Sequence, residues 1–195
     1  MTRSATRELA PEPFRRALKE LADVRTRPEI EFAALPAPAR LAPWSHAVSA
    51  SVVDGGDRPE AASGRLVILY DPDGLTAWEG TLRIVIFLTA EIDEDIARDV
   101  LLPDVAWSWL VESLTARGAV YRALGGTVTA TSSTRFGDIA GPVRSDDLEI
   151  RASWTAVDDH VGRSVRGFAD LLAVAAGLPP EGVAAIGRPS PSNVR

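Results

Sequence analysis

Residues 107–138 decide the fold of this chain, because they pass from helical to strand periodicity within one turn. The segment reads WSWLVESLTARGAVYRALGGTVTATSSTRFGD. Apolar spacing of three and four residues from Trp107 to Leu114 predicts a helix over about 103–117 that ends before Gly118. Two glycines then open a strand dense in Thr and Ser, which ends at 135–138. That hydroxyl-rich end is the best candidate for a functional surface.

The rest of the chain supplies the elements around this segment. Helical spacing predicts a first helix over 11–24, a short acidic helix over 93–99 and a last helix that stops at Gly177. Alternating or apolar runs predict strands at 44–53, 65–70, 81–92, 120–124, 126–135 and 147–155, with a turn at DPDG (71–74). With 120–135 counted as one strand, the order αβββαββα favours an α+β fold. We expect a largely antiparallel sheet of about five strands with helices packed on one face.

Composition indicates one folded domain. The chain has 195 residues, of which 46% are hydrophobic, enough for a single sizeable core. We expect that domain to cover 11–178, between disordered tails at 1–10 and 179–195. The chain contains no cysteine, so disulfides and thiolate chemistry are excluded. The N-terminus lacks a signal-peptide pattern, and no run of 18 apolar residues occurs, so we expect a cytoplasmic protein.

Several classes of site find no support in the residues. Lys19 is the only lysine and belongs to an amphipathic helix, which argues against a Walker loop or a Schiff base. His46 and His160 are the only histidines and stand far apart, so we expect no metal ion and no cofactor. The net charge is −6, without a dense basic stripe, so we expect no nucleic-acid partner. Because no run of 18 apolar residues occurs, we also expect no membrane partner.

Nucleophilic catalysis is weakly supported. The segment GRSVRG (162–167) resembles a hydrolase elbow but is one residue too long and lies inside a helix, so we expect Ser164 on the surface. A triad of Ser132 or Ser133 with His46 and Asp138 has no supporting spacing. We therefore assign no catalytic residue, and the balance leans against an enzyme.

The strand predicted over 81–92 has two unlike faces. One face is fully apolar and should pack on helices; it carries Leu82, Ile84, Ile86 and Leu88. The opposite face carries Arg83, Val85 and Phe87. Because a sheet face open to water rarely needs Val beside Phe, a helix or a partner should cover it. We expect Arg83 and Phe87 to contact a protein partner or a second copy of the chain in a homodimer.

The hydroxyl-rich strand offers a second binding surface. Thr131, Ser133 and Arg135 can present hydroxyls and a guanidinium to a small anionic ligand. The alternative is a strand whose hydroxyls face water, since phosphate sites usually open a helix and this glycine pair opens a strand. We expect Arg135, Phe136 and Asp138 at the end of the strand, with Arg135 hydrogen-bonded to Asp138.

Two tryptophans on the central helix should face different surroundings. Trp107 and Trp109 are two positions apart, so their side chains point about 200° apart. We expect one to pack inward and the other to lie near the surface or under a loop, and we include Trp109 among the candidate partner contacts.

Six segments carry a resemblance to a known family. They are RLAPWSHAVSA, ASGRLVILYDPDG, AWEGTLRIVIFLTAEI, LLPDVAWSWLVESL, GGTVTATSSTRFGD and LEIRASW. Together they resemble the actinobacterial domain-of-unknown-function family number 3000 over residues 11–178. The resemblance implies an actinobacterial source, implies no established activity and offers no catalytic residue. In element order alone, the chain is similar to type III secretion chaperones and YbjN-like proteins, which are non-catalytic binding folds that often dimerise.

The sequence leaves two functions open. The first is a cytoplasmic, non-catalytic binding or adaptor module, chaperone-like in character. The second is a small enzyme or ligand sensor with an anion-binding pocket near Arg135, Phe136 and Asp138. A deep pocket with converging polar groups at that place would favour the second.

Overall fold

The computed structural model describes residues 10–53, 61–139, 141–157, 160–181 and 183. Within them the elements are α1 (Glu12–Asp23), β1 (Ile30–Leu35), β2 (Trp44–Val52), β3 (Ala62–Leu75), β4 (Gly80–Glu91), α2 (Glu94–Ala97), α3 (Leu102–Ala116), β5 (Tyr121–Thr134), β6 (Arg144–Ala156) and α4 (Val161–Ala175). The strands form one antiparallel sheet in the order β1-β2-β3-β4-β6-β5. The predicted α+β fold is confirmed.

The helices cover one face of the sheet. On β4 the even-numbered positions from Leu82 to Ala90 are buried, and the odd-numbered positions between them are only half-buried. Helix α4 contacts α1 and α3 as well as β2, β3 and β4, and its Phe168 is fully buried. Gly167 allows α3 to lie close, because an added Cβ would stand 3.2 Å from Leu114 Cα and 3.0 Å from its Cδ2.

The sequence analysis missed one strand and misplaced one turn. The sheet has a sixth strand, β1, which pairs with β2 from Ile30 to Leu35. The segment 71–74 is not the hairpin turn, since β3 continues through it to Leu75 with a shift of register after Tyr70. Asp71 Oδ1 accepts a hydrogen bond from the Asp73 amide within the strand. The chain reverses later, over a 3₁₀ turn at Thr76–Trp78.

Strand β5 covers both of the segments predicted at 120–124 and 126–135. Tyr121–Thr134 is one strand with a bulge between Arg122 and Gly125, where Ala123 adopts a φ of 49°. No helix among the described residues is long and apolar enough to span a bilayer. Most of the two predicted tails lies outside the described residues.

Candidate functional site

The loop between β5 and β6 exposes several large apolar side chains. In its described part, 135–139 and 141–143, Phe136 is 80% exposed, Ile139 65% and Val143 72%. Isolated apolar residues on a surface are ordinary, but several on one short loop are typical of a contact surface. The prediction that Arg135, Phe136 and Asp138 lie at the end of the strand is confirmed.

Arg135 holds the two ends of this loop together. Its amide donates to Val143 O at 2.8 Å, and its Nη1 donates to Pro142 O at 2.7 Å. The predicted hydrogen bond with Asp138 was wrong, and no ion pair joins these two residues in the described structure. Gly137, with a φ of 69°, turns the chain so that Asp138 is exposed, while the carbonyl of Pro142 lies within reach of the guanidinium.

A charged cluster fixes the base of the loop. Arg144 binds Asp146 through two parallel hydrogen bonds, Nε to Oδ2 at 2.8 Å and Nη2 to Oδ1 at 2.9 Å. Ser132 donates its hydroxyl proton to Asp146 Oδ1. Arg144 Nη1 lies 3.0 Å from Glu94 Oε1, which ties the loop base to helix α2. The cluster therefore joins β5, β6 and α2 at one end of the sheet.

Asp146 is charged within this cluster although it is only 4% exposed. The hydrogen bonds from Arg144, and then the one from Ser132, lower the pKa of Asp146 to about 2. The same contact with Asp146 raises the pKa of Arg144. Two charge-assisted bonds of this geometry make a rigid support rather than a reactive group.

A sequence signal for Asp146 exists but was missed. On β6, Asp146 shares its face with Leu148, Ile150, Ala152 and Trp154, which are all buried. A carboxylate in register with an apolar face needs a partner, because burying an unpaired charge is costly. The strand was predicted to begin at 147, one residue too late to include it.

A second exposed apolar segment lies on the chain just after Glu94. Val100 is 88% exposed, and Ile96 and Leu101 are also exposed. Glu94 pairs with Arg144, the neighbour of Val143, so helix α2 and the β5–β6 loop meet at the same end of the sheet. We call this set the apolar rim; it consists of Ile96, Val100, Leu101, Phe136, Ile139 and Val143.

The helix-free face of the sheet holds the other two predicted contacts. The guanidinium carbon of Arg151 lies 5.2 Å from the centre of the Phe87 ring, so a cation–π contact half-covers that ring. Arg83 donates to Ser153 Oγ at 2.8 Å, to Ala123 O at 2.9 Å and to Thr155 Oγ1 at 3.2 Å. Burial lowers the pKa of Arg83, and the charge of Glu79 opposes that shift.

The candidate residues do not converge on one pocket. Thr131 and Ser133 are exposed on β5, on the helix-free face, whereas Trp109 lies on α3, half-buried against the core. Trp107 is half-buried there too, so the prediction that only one of the two packs inward was wrong. Thr131 aligns across the sheet with Glu91 of β4. Arg83 is eight residues from Glu91 along β4, so Arg83 and Thr131 lie about 27 Å apart along the strand direction.

Two polar groups suggested for catalysis also lie apart. Ser132 is on β5 and His46 on β2, four strands away in the sheet, so the spacing between strands alone sets them at least about 19 Å apart. Ser164, predicted to be on the surface, is only 2% exposed and accepts a hydrogen bond from Trp154 Nε1 at 3.1 Å. That prediction was wrong, because α4 is buried around more of its circumference than one apolar stripe indicates.

A cleft in the described part of the chain lies elsewhere. It has a volume of about 250 Å³ between α1 and the strands β1 and β2, and its lining includes Leu21, Phe32 and His46. A smaller crevice lies between Arg25, Arg117 and Asp170. Neither is lined by residues of the 135–143 loop.

Comparison with known proteins places the whole folded region in one family. No curated protein and no solved structure matches the chain. The similarity in element order to type III secretion chaperones therefore stays a prediction. The family described as "Protein of unknown function (DUF3000)" matches residues 10–184, which covers every helix and strand described above. The chain belongs to the DUF3000 family.

Proposed function

We propose that this protein is a non-catalytic, adaptor-like binding module that holds a protein partner at the apolar rim. The observation that carries the proposal is the exposure of Phe136, Ile139 and Val143 together on one loop. The fully buried centre of a protein interface is more apolar than the rest of the surface, so exposed apolar side chains of this kind suit such a centre.

The contacts beneath the apolar rim fix the loop at both of its ends, which favours its use as a binding surface. Arg135 closes the loop through Pro142 O and Val143 O, and the ion pairs of Arg144 anchor its end to β6 and α2. A partner that meets a loop whose two ends are already fixed loses less conformational entropy on binding. The arrangement therefore suits recognition by a preorganised surface.

The polar groups beside the loop form hydrogen bonds with one another, which leaves them poorly suited to act on a substrate. The Ser132 hydroxyl donates to Asp146, and Asp146 is a weak base because its pKa is about 2. A serine nucleophile needs a base that accepts its proton near neutral pH. An anionic ligand at Arg135, the alternative considered from the sequence, would compete with Pro142 O for the guanidinium.

Affinity capture with rim variants tests the proposal. Phe136→Ser and Val143→Ser should each remove the captured partner while leaving Tm within about 2 °C of wild type, since an exposed side chain contributes little to folding. Leu41→Ser is the matched control, because Leu41 is exposed and apolar but lies in the connector before β2.

The control decides between outcomes. Loss of capture with the rim variants and retention with Leu41→Ser supports the proposal. Equal capture by all three variants would show that partners meet another surface and would remove the rim from consideration.

A further inference from the structure

Strand β5 is the last strand of the sheet, and its outer main-chain groups can be identified. The Ile92 amide donates to Asp146 O, so the main chain of Asp146 faces β4 and that of its neighbours faces β5. The Arg135 amide donates to Val143 O, so the main chain of the odd-numbered residues in this part of β5 faces β6. Amides and carbonyls that point away from the sheet therefore belong to Val128, Ala130, Ser132 and Thr134.

Over residues 126–134 this outer edge lacks the features that protect sheet edges, because the bulge of β5 lies outside that stretch, between Arg122 and Gly125. From 126 to 134 the strand reads GTVTATSST, without a charge or a proline. The opposite edge, β1, has six residues between Pro28 and Pro36 and carries Glu31. Prolines, charges and short length are the usual means of preventing strand addition. Only β1 has them.

We propose that a second copy of this chain pairs antiparallel with β5, centred on Thr131, to form one continuous twelve-stranded sheet. In this register Val128 faces Thr134 of the second copy, and Ala130 faces Ser132. Each of these pairs exchanges an amide and a carbonyl in both directions, which gives about eight main-chain hydrogen bonds across the two-fold axis.

The side chains of β5 complement themselves in this register. Thr131 lies opposite Thr131, and Thr129 lies opposite Ser133, which are favourable hydroxyl pairs across antiparallel strands. No charge meets a like charge, because the paired stretch is uncharged. The exposure of the β5 side chains from Thr129 to Thr134 shows that no described helix blocks this edge. A second copy of β5 is therefore the strand that best complements this edge.

The inference goes beyond the proposed function and uses different atoms. It rests on main-chain groups of 128–134, whereas the rim consists of side chains outside this stretch. Phe136→Ser should therefore leave the dimer intact. A failure of either proposal is visible without affecting the test of the other.

A single cysteine tests the register. The chain has no cysteine of its own, so Thr131→Cys has one route to a disulfide. Two copies of residue 131 form a non-hydrogen-bonded pair with Cα atoms about 4.5 Å apart, within the range that a disulfide spans. Thr127→Cys is the matched control on the same face, because its two copies lie about 27 Å apart. Mild oxidation at about 100 µM protein should link the first variant and not the second.

Light scattering at the same concentration tests the edge itself. Ala130→Pro removes an amide that β6 does not use, so the dimer should be lost while each copy stays folded. Thr131→Lys sets like charges opposite each other without altering the backbone, and it should also give a monomer. A monomeric wild type with no Thr131→Cys linkage overturns the proposal. So do equal linkage of both cysteine variants and a monomer that binds another protein's strand at β5.

Discussion

Replacement of Ser164 by alanine should destabilise the protein through a group on another element. Ser164 Oγ accepts the indole N–H of Trp154 at 3.1 Å, and Trp154 is completely buried. Ser164→Ala leaves that donor without its acceptor in a dry interior. An unsatisfied buried donor costs about 1–3 kcal/mol.

The loss converts to a measurable shift in melting temperature. For a protein of this length each kcal/mol corresponds to about 2–4 °C, so thermal unfolding should show a fall of about 2–12 °C. Ser108→Ala is the matched control, since it is also a serine in a helix and its hydroxyl donates only to Val105 O of the same helix. Both variants gain up to about 0.5 kcal/mol of helix propensity, which cancels in the comparison.

A double-mutant cycle isolates the hydrogen bond. Trp154→Phe removes the donor, so adding Ser164→Ala to it should cost about 1 kcal/mol less than Ser164→Ala alone. Equal melting temperatures for Ser164→Ala and Ser108→Ala would refute the reasoning, because the indole N–H would then have another acceptor. Additivity in the cycle would refute it as well.

Three further predictions follow from the charged cluster, the loop and the residue types. Asp146→Asn should lower Tm at pH 7. Because the pKa of Asp146 is depressed to about 2, this stabilisation is present above pH 3.8 and is lost as the pH falls through 2, so unfolding curves of wild type and variant should converge there. A constant gap between them would contradict the assignment. Arg135→Ala should cost less than about 1 kcal/mol in denaturant unfolding, since its bond to Pro142 O is exposed; a larger loss would make Arg135 a structural residue. EDTA should leave Tm unchanged, and a fall of several degrees would reveal a bound metal.

The fold was largely predictable in segments where one hydrophobic periodicity, helical or strand-like, dominates. The run over 81–92 predicted β4 within one residue of its observed bounds, and the spacing of Trp107, Leu110 and Leu114 predicted α3. The errors occurred where long-range pairing overrides local signals. DPDG has the composition of a turn, yet pairing with β4 resumes beyond it, and the six residues of β1 become a strand by pairing with β2.

The candidate site was predictable only in part. The composition at the end of the hydroxyl-rich strand, Arg135 to Asp138, predicted a functional surface there. The loop that begins at this point is exposed. The cluster beneath was missed, because Glu94 is far in sequence from Ser132 and Asp146 and meets the cluster only because β6 pairs with β4. Ser164 was misplaced because an apolar stripe on a helix does not reveal how many layers will cover it.

The position of β6 between β4 and β5 affects how the chain folds during synthesis. Strands β1 to β4 pair with their neighbours in sequence and can assemble as soon as β4 is made. The apolar strand β4 then waits as an open edge until β6 is complete, which takes about 3–13 s at translation rates of about 5–20 residues per second. Helix α4, which buries the centre of the sheet, arrives last. Association between nascent chains is therefore most favoured in that interval, at a strand that the finished protein pairs on both edges.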